Sequence, residues 1–185
     1  MTTRLYLVRH GATSLTAEDR FSGSENVHLS EEGRAQVARL AQRLEDDGIH
    51  AIYCSPLDRT RETADIIAKP HELTPLPKDG LQEISHGHWE GLSRKEVETQ
   101  FSEEYADWEA DPFTFAPEGG ESGISVLARA LPVIREVVVN HKDKNIVVVA
   151  LIQKVEGREN RSSSSTIRDN PYLRLNSSKY KYIKT

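Results

Sequence analysis

Arg4-Leu5-Tyr6-Leu7-Val8-Arg9-His10-Gly11 is the stretch from which the rest of the chain can be read. Its first half is a short apolar run rich in strand formers, which stops abruptly at a cation, an imidazole and a glycine. Outward from it the pattern repeats. Residues 50–54 (His50-Ala51-Ile52-Tyr53-Cys54) and 146–149 (Ile146-Val147-Val148-Val149) form two more apolar runs of strand length. Between them lie helical periodicities. Over 30–47, Ser30 stands as the cap, Val37, Leu40, Ala41 and Leu44 share a face, and Gly48 sits where a helix ends. Residues 57–69 place Leu57, Ala64, Ile67 and Ala68 on one side, and 122–139 form a third helix with a kink expected at Pro132. Ser93 and Glu96 make a capping box opening a short helix that buries Val97, and Tyr105 and Trp108 lie one turn apart on another. Strands alternating with helices predict an α/β fold with a mostly parallel sheet. Such sheets bind ligands beyond the carboxyl ends of their strands. The residues to inspect are therefore Arg9-His10-Gly11, Ser55-Pro56 and Ala150-Leu151.

Composition supports one such unit. The chain has 185 residues, 37% hydrophobic and 29% charged, with a formal net charge of −5. That acidic balance argues against nucleic-acid and anionic-membrane partners. The single cysteine excludes an internal disulfide framework and a multi-cysteine zinc site. No apolar run approaches the roughly 18 residues of a membrane span. Met1-Thr2-Thr3-Arg4 lacks a signal-peptide layout, so a cytoplasmic setting is expected. Charge is uneven. Residues 151–185 hold eight Lys/Arg against three Asp/Glu, a net +5, leaving −10 for residues 1–150. Ser162 to Ser165 run consecutively in that basic part. The expected organisation is an α/β domain over 1–150 and a basic, serine-rich tail over 151–185, the least stable part of the chain.

The residues after the strands carry the chemistry. An imidazole at a strand end followed by glycine can face a crevice, and the adjacent guanidinium matches phosphate oxygens with a planar fork. Fixed positive charge also keeps the ring neutral, as a nucleophile toward phosphorus must be. The alternative for His10 is a ring that only serves the backbone. Arg59 lies in the first turn of the helix after the second strand and can reach the same crevice; alternatively it pairs with Glu62 or Asp58. Glu83 and Glu90 flank Gly87-His88-Trp89. A carboxylic acid beside an apolar wall can hold its proton and serve a leaving oxygen; the alternative is two surface carboxylates. His86 and His88 lack a clear third ligand and read as a polar loop rather than a metal pair. Gly119-Gly120-Glu121-Ser122 is either a turn with a helix cap or a backbone N–H site for phosphate. Cys54, inside an apolar strand, reads as packing.

Together these pieces resemble the histidine phosphatase superfamily, the phosphoglycerate-mutase-like group. The matching segments, in the family's order, are Leu7-Val8-Arg9-His10-Gly11-Ala12-Thr13, Arg20-Phe21-Ser22-Gly23, Leu29-Ser30-Glu31-Glu32-Gly33, Ser55-Pro56-Leu57-Asp58-Arg59-Thr60 with Thr63-Ala64, Leu81-Gln82-Glu83, Gly87-His88-Trp89-Glu90-Gly91 and Gly119-Gly120-Glu121-Ser122. The resemblance implies a three-layer sandwich around a mostly parallel sheet. It implies that His10 becomes phosphohistidine, that Glu83 donates the proton, and that Arg9, Arg59 and Thr16 bind phosphate, with Thr16 standing where the family often has asparagine. It puts Arg20, Gly120 and Glu121 at the substrate rim. The ligand expected is a small phosphorylated substrate or inorganic phosphate, with no cofactor and no metal. The activity implied is phosphatase, with a mutase as the alternative.

One departure qualifies that expectation. After the third strand the family has a second histidine and a long apolar helix. Here Ala150 is followed by Leu151 and then by the basic tail. His141 precedes the strand and belongs to its other end. A changed reading frame, a splice variant or an altered gene model is one account of the break, and a divergent tail is the other. With Leu151 in place of a histidine, the sequence predicts impaired turnover, or a phosphate binder with little or none.

Overall fold

The apolar runs of the sequence lie side by side in one sheet. In the computed structural model, which describes residues 2–14, 20, 21, 23, 26–150 and the backbone of 180–183, the strands are β1 (Arg4–Val8), β2 (Ile49–Cys54), β3 (Leu76–Pro77), β4 (Asn145–Val149) and β5 (Tyr180–Ile183). Their order is β3-β2-β4-β1-β5, and every neighbouring pair is parallel. The central strands are apolar at almost every position because the sheet is buried on both faces. On one face Tyr6, Val8, Ile52, Cys54, Val147 and Val149 pack against α1 (Glu31–Leu44) and α2 (Asp58–Ala68) through Val37, Leu40, Leu44, Ala64 and Ile67. On the other, Leu5, Ala51, Tyr53, Ile146 and Val148 meet Val133, Ile134 and Val137 of α5 (Gly123–Asn140) and Leu81. Alternate strand residues thus feed opposite layers.

The helix starts follow from local chemistry. Ser30 caps α1 by accepting from Gly33 N, and Ser122 caps α5 by accepting from Ser125 N. Ser93 and Glu96 form a reciprocal capping box on α3 (Arg94–Gln100), which leads into α4 (Ser102–Ala110). Pro132 does not end α5, which runs through it from Gly123 to Asn140. A satellite cluster of Phe21, Trp89 and Val97 packs with Phe101, Tyr105, Trp108 and Phe115 beside the main core.

Register brings the strand ends level. Val8 pairs with both Val149 and Ile183, and Cys54 pairs with Val149. Ala150 N donates to Val8 O at 3.0 Å and Ser55 N donates to Val149 O at 3.0 Å. Arg9, Ser55 and Ala150 therefore leave the sheet along one edge. His141 caps the other end of the layer, following α5 and preceding β4, with its Nε2 2.9 Å from the Tyr53 hydroxyl.

Two strands were not recognised in the sequence. One is β3, and the other is β5, which falls inside the tail expected to be the least stable part of the chain. Tyr180-Lys181-Tyr182-Ile183 is rich in strand formers, but the basic, polar sequence around it hides the pattern. Thr16, Leu151 and the remainder of 151–179 lie outside the described residues.

Candidate active site

The loop leaving β1 is held against two helices before any ligand is considered. Ala12 N donates to Gln36 Oε1 at 3.1 Å, and Ala12 O accepts from both Ser30 N and Ser30 Oγ, at 2.9 and 3.1 Å. The start of α1 thus grips the loop directly. The approach is so close that a Cβ on Gly33 would lie 2.1 Å from Ala12 O, and one on Gly11 would lie 2.7 Å from Gly33 O. On the other side Gly11 N donates to Thr63 Oγ1 at 3.2 Å, while Thr63 Oγ1 donates to Arg59 O at 2.8 Å. Thr63 therefore ties the His10 loop to the first turn of α2, which carries Arg59.

His10 is 5% exposed, and its Nδ1 lies 2.8 Å from Gly11 O. A carbonyl only accepts, so Nδ1 carries the hydrogen and Nε2 the lone pair of the neutral ring. Burial first, and the charges of Arg59 and Arg9 after it, bring its pKa down to about 4 against the pull of the Gly11 carbonyl. At neutral pH His10 is a neutral imidazole of one defined tautomer. That neutral form, with the lone pair on Nε2, is the one a histidine nucleophile requires.

Arg59 and Glu83 are both buried, and their side chains meet directly. The same Arg59 Nη2 donates to Gly23 O at 2.7 Å. Gly23 has φ +41° and a Cβ there would lie 2.0 Å from Glu90 Oε1, so a larger residue would be strained and would displace the Glu90 side chain. Burial lifts the Glu83 carboxyl above the ordinary carboxylate range, against the opposing pull of Arg59 and Arg9. The arrangement joins a neutral imidazole, two guanidinium charges and a carboxyl whose pKa burial raises. It suits attack on an anionic phosphorus centre with protonation of the leaving oxygen.

The other residues singled out in the sequence are placed as follows. Glu62 is engaged by His28 and Arg34, and Asp58 lies near His28, so neither takes Arg59. Glu90 holds the loop after Glu83, accepting from Ser85 Oγ and His86 N at 3.1 and 3.0 Å. The buried His86 ring meets Phe21 edge-on, 4.7 Å between centroids, and its Nδ1 has no hydrogen-bond partner. His88 instead stacks on Phe101 and pairs with Glu104 at 2.9 Å, so the two rings serve different neighbours. Among the described residues no three His, Cys, Asp or Glu side chains gather as a metal site. Burial pushes the Cys54 thiol up to about 11. Arg20 donates to Gly91 O at 2.8 Å and to Glu96 at 3.2 Å, and lines an open depression with Ser93, Lys95, Thr99 and Gln100 rather than with His10. Gly120 packs on the Ser85–His86 backbone, and Glu121 is held by Arg129 at 2.8 Å.

Sequence reasoning missed Thr63, Gly23 and Arg129 as parts of this assembly. Thr63 and Gly23 lay within quoted segments, but their partners are 52 and 36 residues away, beyond any local pattern.

Similarity to known proteins points to one family. The model of the histidine phosphatase superfamily (branch 1) matches residues 5–150. Phosphoserine phosphatase 1 of Hydrogenobacter thermophilus is 36% identical over 147 residues, 80% of this chain and 70% of its own length. Mycobacterial relatives matched at 35% identity are longer, and the chain spans 42% of their length. Among solved structures, Bacillus stearothermophilus YhfR superposes with TM-score 0.76 at 33% identity, covering 81% of this chain and 74% of that one. A mycobacterial glucosyl-3-phosphoglycerate phosphatase complexed with VO3 superposes with TM-score 0.72 at 31% identity, covering 78% and 73%.

Proposed function

The chain belongs to the histidine phosphatase superfamily, and from that premise we propose that it hydrolyses small phosphomonoesters through a phosphohistidine on His10. The observation that carries this reading is the buried, neutral His10, its Nδ1 engaged by Gly11 O, beside Arg59 and Glu83. In the first step Nε2 attacks phosphorus as the bond to the ester oxygen breaks. Glu83 gives that oxygen its proton, and an alcohol leaves. In the second, Glu83 takes a proton from water, the oxygen attacks phosphorus, the N–P bond breaks, and inorganic phosphate is released. Arg9 and Arg59 balance the phosphoryl charge throughout. Relatives named as phosphatases of phosphoserine and of a phosphoglycerate derivative support a small phosphorylated substrate.

A second reading is favoured by Leu151, which follows Ala150 directly where β4 leaves the sheet beside Val8. Leucine offers an anion no donor. Removing one positioned donor costs about 10²–10³ in rate. On this reading the chain binds phosphate or vanadate and turns over slowly. Two measurements test the pair of readings. Rapid quenching into alkaline denaturant after brief exposure to a labelled phosphomonoester is expected to leave alkali-stable, acid-labile label on the parent and none on His10→Ala; equal labelling of both excludes His10 as the nucleophile. Single-turnover hydrolysis is expected to quicken by about tenfold or more in Leu151→His. A fast parent would dismiss the impaired reading, and an unimproved, folded variant would remove residue 151 from the phosphate site.

A further inference from the structure

Arg129 has five N–H donors, and each has an acceptor. Nε and Nη2 grip Glu121 Oε1 and Oε2 as a two-pronged pair, both at 2.8 Å. The remaining three bonds go to carbonyls of the loop that carries Glu83: Nη1 to Gly80 O at 3.1 Å and Gln82 O at 2.7 Å, and Nη2 to Glu83 O at 2.9 Å. Glu121 then closes the circuit from the far side. Its Oε2 accepts from Ser85 N at 3.1 Å, and its own N–H donates to Ser85 O at 2.8 Å. The loop is thus bonded at residues 80, 82, 83 and 85 to one ion pair. It also sits on the α5 backbone with no room to spare, since a Cβ on Gly80 would lie 2.6 Å from Arg129 O.

We propose that Arg129 and Glu121 are positioning residues for the proton transfer, fixing the Glu83 carboxyl over the leaving oxygen through the Glu83 backbone. Neither side chain is placed to touch the phosphoryl group; their bonds are to the loop. The physical reason is that a general acid works only within hydrogen-bond reach of the atom it protonates. Glu83 stands on a segment whose own regular structure is one 3₁₀ turn, Asp79–Leu81. Without the guanidinium, three carbonyls lose a donor together, and the Glu121 carboxylate keeps only Ser85 N. The loop would turn toward water to satisfy them. The inference rests on the reading of Glu83 as the donor.

The test compares leaving groups. p-Nitrophenyl phosphate releases a phenolate that departs without a proton, whereas an alkyl monoester such as glycerol phosphate needs one. Single-turnover rates of leaving-group release, which report the first step alone, are measured for the parent, Arg129→Lys, Glu121→Gln and Glu83→Gln on both substrates. Arg129→Lys keeps the charge and loses the fork; Glu121→Gln keeps an acceptor and most of the volume. Both are expected to slow the alkyl ester by about tenfold or more and the nitrophenyl ester by less than about twofold, a smaller copy of Glu83→Gln. Adding Arg129→Lys to Glu83→Gln is expected to cost nothing further on the alkyl ester. If both positioning variants slow the two esters equally while Glu83→Gln discriminates between them, the positioning role is overturned and the acid remains. If Glu83→Gln itself does not discriminate, the acid assignment falls and this inference falls with it. A readout independent of turnover is the ¹³C carboxyl titration of Glu83, assigned by its loss in Glu83→Gln. In the two positioning variants its midpoint is expected to drop toward the ordinary carboxylate range as water enters. An unchanged midpoint in both overturns the proposal.

Discussion

Two buried histidines titrate far below their usual range for the same first cause, loss of water, and they make different predictions. For His10 the consequence is kinetic. A ring with a pKa of about 4 stays nucleophilic well below pH 6.5. The acid limb of kcat/KM, which reports free enzyme and free substrate, is expected near 4 once the second ionisation of the phosphomonoester, at about 6, is divided out; a remaining limb near 6.5 would show that the ring is solvated. For His86 the consequence is thermodynamic. Its pKa is also lowered to about 4, and its Nδ1 is an unsatisfied buried atom. The unfolded chain binds a proton below about 6.5 while the folded one does not, so stability is lost as pH falls from that value toward 4. At pH 5 the loss is about 2 kcal/mol. His86→Phe, in a pocket already edged by Phe21, is expected to be stabilised against the parent by about that much more at pH 5 than at pH 8. Parallel pH profiles in urea unfolding would refute it. At this scale the sequence was legible where chemistry is contiguous. Arg9 and His10 are neighbours after a strand, so their pairing could be argued directly. Glu83 could be weighed only as one of two carboxylates until the resemblance favoured it, because its environment is built by Arg59 and by burial. Arg129 gave no signal, since its carbonyl partners lie 46 to 49 residues earlier.

At the scale of elements, helix α1 does two jobs that oppose each other at Gly33. Alanine within a helix is worth about 1 kcal/mol over glycine. Here its methyl would lie 2.1 Å from Ala12 O and 2.8 Å from Ala12 N, and both neighbours are backbone. The clash outweighs the propensity, because neither the loop nor the helix can yield without breaking the Ser30 and Gln36 bonds. Gly33→Ala is therefore expected to destabilise the fold by about 1–3 kcal/mol. It is also expected to lower turnover by about 100-fold, because His10 moves with the loop. A variant more stable than the parent would show that α1 is free to retreat. The existence of α1, α2 and α5 was readable from periodicity and caps, with ends shifted by a residue or a few. What periodicity could not show was that the glycine quoted at the start of α1 is there for the β1 loop. Nor could it show β3, whose two residues are too few to carry a pattern.

The whole molecule depends on which strand lies at the sheet edge. Alternation of strands and helices implied a parallel sheet, but not the order β3-β2-β4-β1-β5, since order is set by crossovers and long-range register. That order puts the strand carrying His10 inside the sheet only because β5 pairs with its outer side, Leu5 with Tyr180 through Val8 with Ile183. Without β5, β1 becomes an edge with unpaired backbone groups, and the strand that aims His10 loses half of its bracing. Ending the chain after residue 179 is expected to cost about 2–4 kcal/mol, from a few backbone hydrogen bonds at about 1 kcal/mol each. It is also expected to raise amide exchange in β1 more than in β2, which keeps both of its neighbours. The charge pattern adds a second reading of the same experiment. The part that supplies β5 carries +5 against −10 on residues 1–150, so its attachment has an electrostatic share that salt screens. Raising salt is then expected to bring β1 exchange in the full chain toward that of the shortened one. Equal protection of β1 in the two chains at low salt would mean that β5 contributes nothing to the sheet.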